Sequence, residues 1–173
     1  MEYSIRKEEP KDIEQVRGIL RSVFPTHAEN KLVDALRENG KAILSRVAVD
    51  HEDVLGHILF SAVSTTPPEE GAAPDEAKGI GLAPVAVRPD SQSLGIGSAL
   101  IQNGLDLCKG LGFDYCVVLG SPEYYGRFGF QKASRFGLSN EYGVDEEFMV
   151  IRFSDRPVSG LVRYAPEFDM FSV

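Results

Sequence analysis

The stretch from Gly79 to Gly120 constrains the fold more than any other. GIGLAPVAV reads as a strand, QSLGIGS as a turn, the residues from Ile96 to Leu111 as an amphipathic helix, and FDYCVVLG as a buried strand. Together they form a β–α–β unit. On the helix, Ile96, Leu100, Leu107 and Leu111 lie close together around the axis, with Ile101, Leu105 and Cys108 beside them. These positions cover roughly half the circumference at about 3.6 residues per turn. Gln102, Asp106 and Lys109 fall on the other side, and Gly110 and Gly112 end the helix. Pro84 sits inside the first strand. It cannot donate to a ladder, so an edge, a bulge or a local splay is expected there.

The rest of the chain wraps this unit. EYSIRK gives a first short strand. Pro10 opens a helix with Asp12 and Glu14 in its first turn, where the helix dipole favours negative charge, and Pro25 stops it. Residues 28–38 form a second helix, with Leu32, Val33 and Leu36 inward. AILSRVAVD and VLGHILFSAVS, joined by a short polar link, read as a hairpin. TPPEEGAAPDEA, residues 66–77, reads as a mobile loop. SPEYYGRFGF reads as a short helix with its stop at Gly129, FMVIRF as a further strand, and LVRYAPEF as a terminal extended piece. The order β-α-α-β-β-β-α-β-α-β-β predicts an α/β (α+β) fold, a mixed sheet with helices packed on it. At 173 residues, one domain over 1–173 is expected.

Charge and composition exclude several functions. With 26 acidic and 18 basic residues the formal charge is -8, against a general nucleic-acid binder, which needs a basic face. No apolar run approaches the roughly 18 residues of a membrane span. The N-terminus MEYSIRKEEP is charged and lacks the apolar core of a signal peptide, so a cytoplasmic location is expected. Cys108 and Cys116 have neither metal nor redox spacing and read as small core residues. His27, His51 and His57 form no ligand pattern, so no metal is expected.

The two glycines of QSLGIGS weaken the junction between strand and helix twice. Such a turn exposes unsatisfied N–H groups at the positive end of a helix, where phosphate binds, and bare positions at Gly95 and Gly97 let oxygens touch the main chain. A tight turn with close helix packing explains the glycines equally well. The dinucleotide-binding fingerprint fails, because Leu100 stands where its third glycine would be. The Walker loop fails for want of a lysine near Gly97.

QSLGIG does match the Q/R-x-x-G-x-G/A pattern of the GNAT superfamily of acyl-CoA-dependent N-acetyltransferases. VAVRPDSQSLGIGSALI resembles that family from strand through helix. VVLGSPEYYGRFGF resembles its later strand, short helix and terminal Tyr-x-x-x-Gly-Phe, in the manner of a small bacterial branch called YhbS-like. The resemblance covers about residues 2–153 in element order, with specific motifs in 85–130. It implies a GNAT-like fold: a central, mixed, mostly antiparallel twisted sheet of six to seven strands with one splayed strand pair, flanked by about four helices. It implies acetyl-CoA as co-substrate and no metal. The pyrophosphate would lie on the N–H groups of Gln92, Ser93, Leu94, Gly95, Ile96, Gly97 and Ser98. The pantetheine arm would lie along Val85, Ala86 and Val87 as an added strand, with Tyr125 and Phe128 beside the cofactor.

The implied chemistry is direct attack of an amine on the thioester. The tyrosine five residues before the Phe of Gly-Phe, Tyr125 here, would be the general acid; a stacking role is the alternative. Tyr124 would pack or line the pocket, and Arg88 would either add charge near the phosphates or be solvated. The sequence departs from the family in two places. GIGLAPVAV has no acidic residue, and Gly120 and Ser121 stand where an asparagine is common. A relayed water is therefore expected as base, with Glu123 and Glu147 as further candidates. The acceptor, a small amine or a protein amino group, would enter beside the first two helices and the 66–77 loop. The acidic segment NEYGVDEE would either attract it or form a solvated turn. A homodimer is compatible with the resemblance. The alternative function is a non-catalytic acyl-CoA-binding module.

Overall fold

The computed structural model describes residues 2–66 and 77–171. In chain order the elements are β1 (Ser4–Lys7), α1 (Ile13–Val23), α2 (Ala28–Glu38), β2 (Ala42–Asp50), β3 (Asp53–Thr66), β4 (Gly79–Val87), α3 (Ile96–Gly110), β5 (Tyr115–Leu119), α4 (Pro122–Gly126), β6 (Gln131–Lys132), β7 (Leu138–Asn140), β8 (Phe148–Arg152) and β9 (Gly160–Arg163). Most of the loop expected over 66–77 lies outside the described residues. The main sheet runs β1-β2-β3-β4-β5-β8-β6, seven strands where six to seven were expected, with β6 rather than the terminal piece as the last, and is antiparallel except at β4–β5. That pair is parallel because α3 carries the chain across between its strands. β9 pairs with the far end of β3, and β7 with β9, which extends the sheet to nine strands. β6 and β7, of two and three residues, are too short to show a period in the sequence.

Helices cover both faces. α1 and α2 bury Val16, Leu20, Leu32 and Leu36 against Val47 and Leu59 on one face; α3 buries Leu100, Ile101 and Leu105 against Ile58, Phe60 and Ile80 on the other. β3 is therefore buried without a break from Val54 to Ser61, which is why VLGHILFS reads as a continuous apolar run rather than an alternation. The α3 stripe sits further round than the sequence implies. Gly104 is at its centre, where an added Cβ would fall 2.3 Å from the Phe60 ring. Leu107 is only half-buried and Leu111 is 59% exposed. Asp12 does more than complement a helix dipole: its carboxylate is buried and takes two hydrogen bonds from Arg6, at 2.7 and 2.9 Å. Among the described residues no helix is long and apolar enough to cross a membrane.

His57, fully buried in β3, lies 2.8 Å from Ser45 Oγ and 3.0 Å from Glu8 Oε2, and Arg37 sits 2.7 Å from Glu8 Oε1. Burial lowers the His57 pKa more than Glu8 raises it. Burial alone would raise Glu8, but hydrogen bonds from His57 and Ser45 and the charge of Arg37 hold it below its ordinary value. Both shifts are downward, so on acidification the unfolded chain takes up these protons first. The stability that His57 contributes is whole above pH 6.5, its unperturbed value, and declines below it; Glu8 adds the same trend below 4.5. The urea midpoint should therefore fall between about pH 7.5 and about pH 5.5. A midpoint that holds or rises contradicts this account.

Candidate active site

The chain leaves β4 through a 3-10 turn, Pro89–Ser91, and Gln92 ties the turn back by donating to the Val87 carbonyl at 3.1 Å. Two residues then take positive φ: Ser93 at 65° and Gly95, the α3 N-cap, at 84°. A non-glycine residue in that region is uncommon, and where it occurs the surrounding structure must hold it there. Gly95 offers no side chain, so no side chain caps the first turn of α3, and its N–H groups face outward. A cavity of about 360 Å³ opens there, lined by Val87, Ser91, Gln92, Ser93, Gly95, Ile96, Gly97, Ser98, Tyr124 and Arg127. Six of the seven residues expected at a phosphate site, Gln92, Ser93, Gly95, Ile96, Gly97 and Ser98, are thus brought together. Leu94 is not among the lining residues and is 53% exposed. Arg88 is spent on Asp90, with contacts at 2.6 and 3.0 Å. The arginine at this cavity is Arg127, whose guanidinium lies 4.6 Å from the centroid of the Tyr124 ring.

On the other side of β4 the sheet opens. β4 and β5 pair only from Gly79–Gly81 to Tyr115–Val117, while β5 stays paired with β8 along its whole length. Leu82 to Val87 therefore have no partner on the β5 side. Pro84 marks the change. The β3–β4 register slips between Ile58 and Phe60, placing Ala83 and Pro84 opposite Leu59, and the Ala83–Pro84 peptide is cis. This realises both the bulge and the splay expected at Pro84. Between the separated strands lies a cavity of about 520 Å³. Its walls are Leu82, Ala83, Pro84 and Val85 of β4, Val118 and Leu119 of β5, Tyr125 of α4, Phe24, Glu29 and Leu32 around α2, and Tyr142, Val144, Tyr164 and Phe168 from the C-terminal part. The side chain of Ala86 is buried in the core, and Phe128 packs on the rings of Tyr124 and Tyr125 without lining either cavity.

α4 places two adjacent tyrosines at the two cavities. Ser121 caps it by accepting from the Tyr124 N–H at 3.4 Å. The Tyr124 hydroxyl lies 3.3 Å from Ser98 Oγ, which links α4 to the first turn of α3. Tyr125 turns the other way, 9% exposed, with its ring 5.1 Å from Tyr124 and 5.7 Å from Phe130. Burial, then the neighbouring Tyr124 and Cys116, push its pKa up to about 12. A Cβ at residue 120 would stand 2.3 Å from the Tyr125 ring, so Gly120 makes room for that ring. An asparagine could not occupy the position without displacing it.

Glu123 and Glu147 are exposed and line neither cavity. The acidic segment 140–147 is largely paired: Glu141 with Arg163, and Asp145 and Glu146 with Lys132. Its contribution to the larger cavity is Tyr142 and Val144. The carboxylate that does line that cavity, Glu29, stands in the first turn of α2 and reads from sequence as an ordinary helix N-terminal acid. Cys108 and Cys116 are both buried and free, with pKa values raised by burial.

The model of the Acetyltransferase (GNAT) family matches residues 11–130. The uncharacterized N-acetyltransferase YhbS of Escherichia coli K12 is 36% identical over 172 residues, 96% of this chain and 99% of that protein. The crystal structure of Escherichia coli YhbS in complex with CoA is similar at a TM-score of 0.88 and 35% identity, covering 99% of this chain and 94% of that one. A GNAT family acetyltransferase from Brucella melitensis, in complex with acetyl-CoA, is similar at a TM-score of 0.79 and 35% identity, covering 97% and 99%. A glycine-lined helix start beside a splayed strand pair, matched along nearly the whole chain, has one reading: this protein belongs to the GNAT family of acetyltransferases.

Proposed function

We propose that the protein moves an acetyl group from acetyl-CoA to a primary amine, with Tyr125 serving the leaving sulfur. The observation that carries this reading is Gly97. It lies in the first turn of α3 with no positive φ to require glycine, and a Cβ there would meet only ordinary contacts, 3.6 Å from Tyr124 and from Val87. The protein itself has no need of a glycine at this place. A ligand pressed against the main chain does. The acyl-CoA complexes of the two similar structures support the same assignment.

On this reading the N–H groups around Gly95 to Ser98 and the Arg127 guanidinium hold the diphosphate. The net charge of -8 does not oppose them, because exposed charges beyond about 8 Å are largely screened at physiological salt, whereas these contacts are direct. The unpaired edge of β4 receives the pantetheine amides as an added strand, and this directs the thioester into the larger cavity, beside Tyr125. The amine nitrogen attacks the carbonyl carbon, the C–S bond breaks, and the amine's surplus proton passes through water to solvent. Magnitudes define the part Tyr125 plays. Its pKa of about 12 stands about 3.5 units above an ordinary thiol, so full proton transfer to the thiolate would cost about 5 kcal/mol. Tyr125 therefore acts as a hydrogen-bond donor to the sulfur as charge develops, and the thiolate takes its proton later from water.

The test is release of free thiol from acetyl-CoA with a panel of primary amines, read beside the melting shift caused by coenzyme A. Turnover with at least one amine and a rise in melting temperature are expected. A rise without turnover for every amine would leave an acyl-CoA-binding module. Neither response would remove the site assignment altogether.

A further inference from the structure

We propose that the larger cavity selects a primary amine carried on a compact apolar or aromatic body, and that Glu29 holds its ammonium form. This rests on the reading of the site as an amine acetyltransferase and adds the class of acceptor. The cavity, about 520 Å³, is the size of a small-molecule site. Its C-terminal wall is aromatic: Tyr142 and Tyr164 lie 6.1 Å apart, and Tyr164 and Phe168 5.0 Å apart, between ring centroids. Tyr164 is buried there. Ring faces of this kind pack an apolar body and attract a cation. Glu29 is the single carboxylate among the cavity's lining residues. It is half-buried, its described side-chain contact is the Thr26 hydroxyl at 3.5 Å, and no lysine or arginine pairs with it among the described residues.

Glu8, Asp12, Asp34, Asp90, Asp145 and Glu167 each have a basic partner within 3.1 Å. Glu29 differs from exposed acids such as Glu123 and Glu147 in lining a cavity and in being half-buried. An anion facing apolar walls without a protein cation is complementary to a ligand that brings one positive charge and little other polarity. Polyamines and basic peptides present several charges, and the walls offer no further carboxylates to meet them. Tyr125 lines the same cavity, so an amine held there shares the space with the group assigned to the leaving sulfur. The bound ammonium first passes one proton to water, since only the neutral nitrogen has the lone pair that attacks the thioester.

Calorimetry on the protein saturated with coenzyme A tests this directly, with phenethylamine as the probe, phenethyl alcohol as its neutral counterpart and spermidine as the polycation. Phenethylamine should bind more tightly than the other two. Glu29→Gln should weaken phenethylamine at least about tenfold, the loss expected for a charge-assisted hydrogen bond. It should leave phenethyl alcohol within about twofold, since no such bond is lost there. An unchanged coenzyme A melting shift in Glu29→Gln shows that the variant is folded and its donor site intact. Three results overturn the proposal: the alcohol binding as well as the amine, Glu29→Gln leaving the amine unaffected, or spermidine binding best. Each can occur while coenzyme A still binds and thiol is still released. Absence of coenzyme A binding is the separate failure of the underlying reading.

Discussion

Gly97→Ala is expected to stabilise the free protein and weaken its hold on coenzyme A, two effects of opposite sign from one methyl group. Gly97 has helical backbone angles, so alanine removes flexibility from the unfolded chain and gains up to about 1 kcal/mol. For a chain of this length that is about 2–4 °C in melting temperature. The methyl would sit 3.6 Å from Tyr124 and Val87, and so displaces nothing in the protein. It would project into the 360 Å³ cavity, where the proposed phosphate site needs a bare main chain. Affinity should fall at least about tenfold, or about 1.4 kcal/mol. Gly97→Val, with two more carbons in the same space, should lose more. Calorimetry with coenzyme A and a thermal melt without it read the two signs separately. Full affinity in the valine variant would move the phosphates elsewhere.

Tyr125→Phe should lower kcat by about 10- to 100-fold, the value of one hydrogen bond to a developing charge. It should leave coenzyme A affinity within about threefold, because on the proposed role the hydroxyl serves the transition state rather than the bound cofactor. The ring contacts with Tyr124 and Phe130 survive the change, so the loss is not one of packing. The pH profile carries a second expectation. Burial raises this pKa to about 12, so the hydroxyl remains a donor throughout neutral and mildly alkaline solution, and no decline below about pH 10 should originate from it. Equal kcat in the two proteins would assign the sulfur to another donor.

The sequence reveals those parts of the site that are local along the chain. The strand, the glycine turn and α3 are consecutive, and so are the two tyrosines of α4, so their periods and stops can be read directly. Pro84 signals the splay because its missing N–H is a local fact with a long-range effect. The parts that escape are those assembled by folding. Glu29 and Phe168 meet only because α2 and the C-terminal segment face the same gap. Arg127 lines the smaller cavity with its guanidinium over the Tyr124 ring, a contact no spacing predicts. Leu111 shows the reverse error: helical spacing gives it the inward face, but α3 ends one residue earlier, beyond the reach of the sheet. His57, Glu8 and Arg37 come from three elements, and no spacing foretells their contact.

The family match ends at residue 130, yet Tyr142, Val144, Tyr164 and Phe168 of the larger cavity all lie beyond it. On the proposed reading, the donor site and the C-terminal wall of the acceptor cavity therefore lie in different stretches of sequence. Tyr142, Val144, Tyr164 and Phe168 can each be substituted without touching a residue of the glycine turn or of β4.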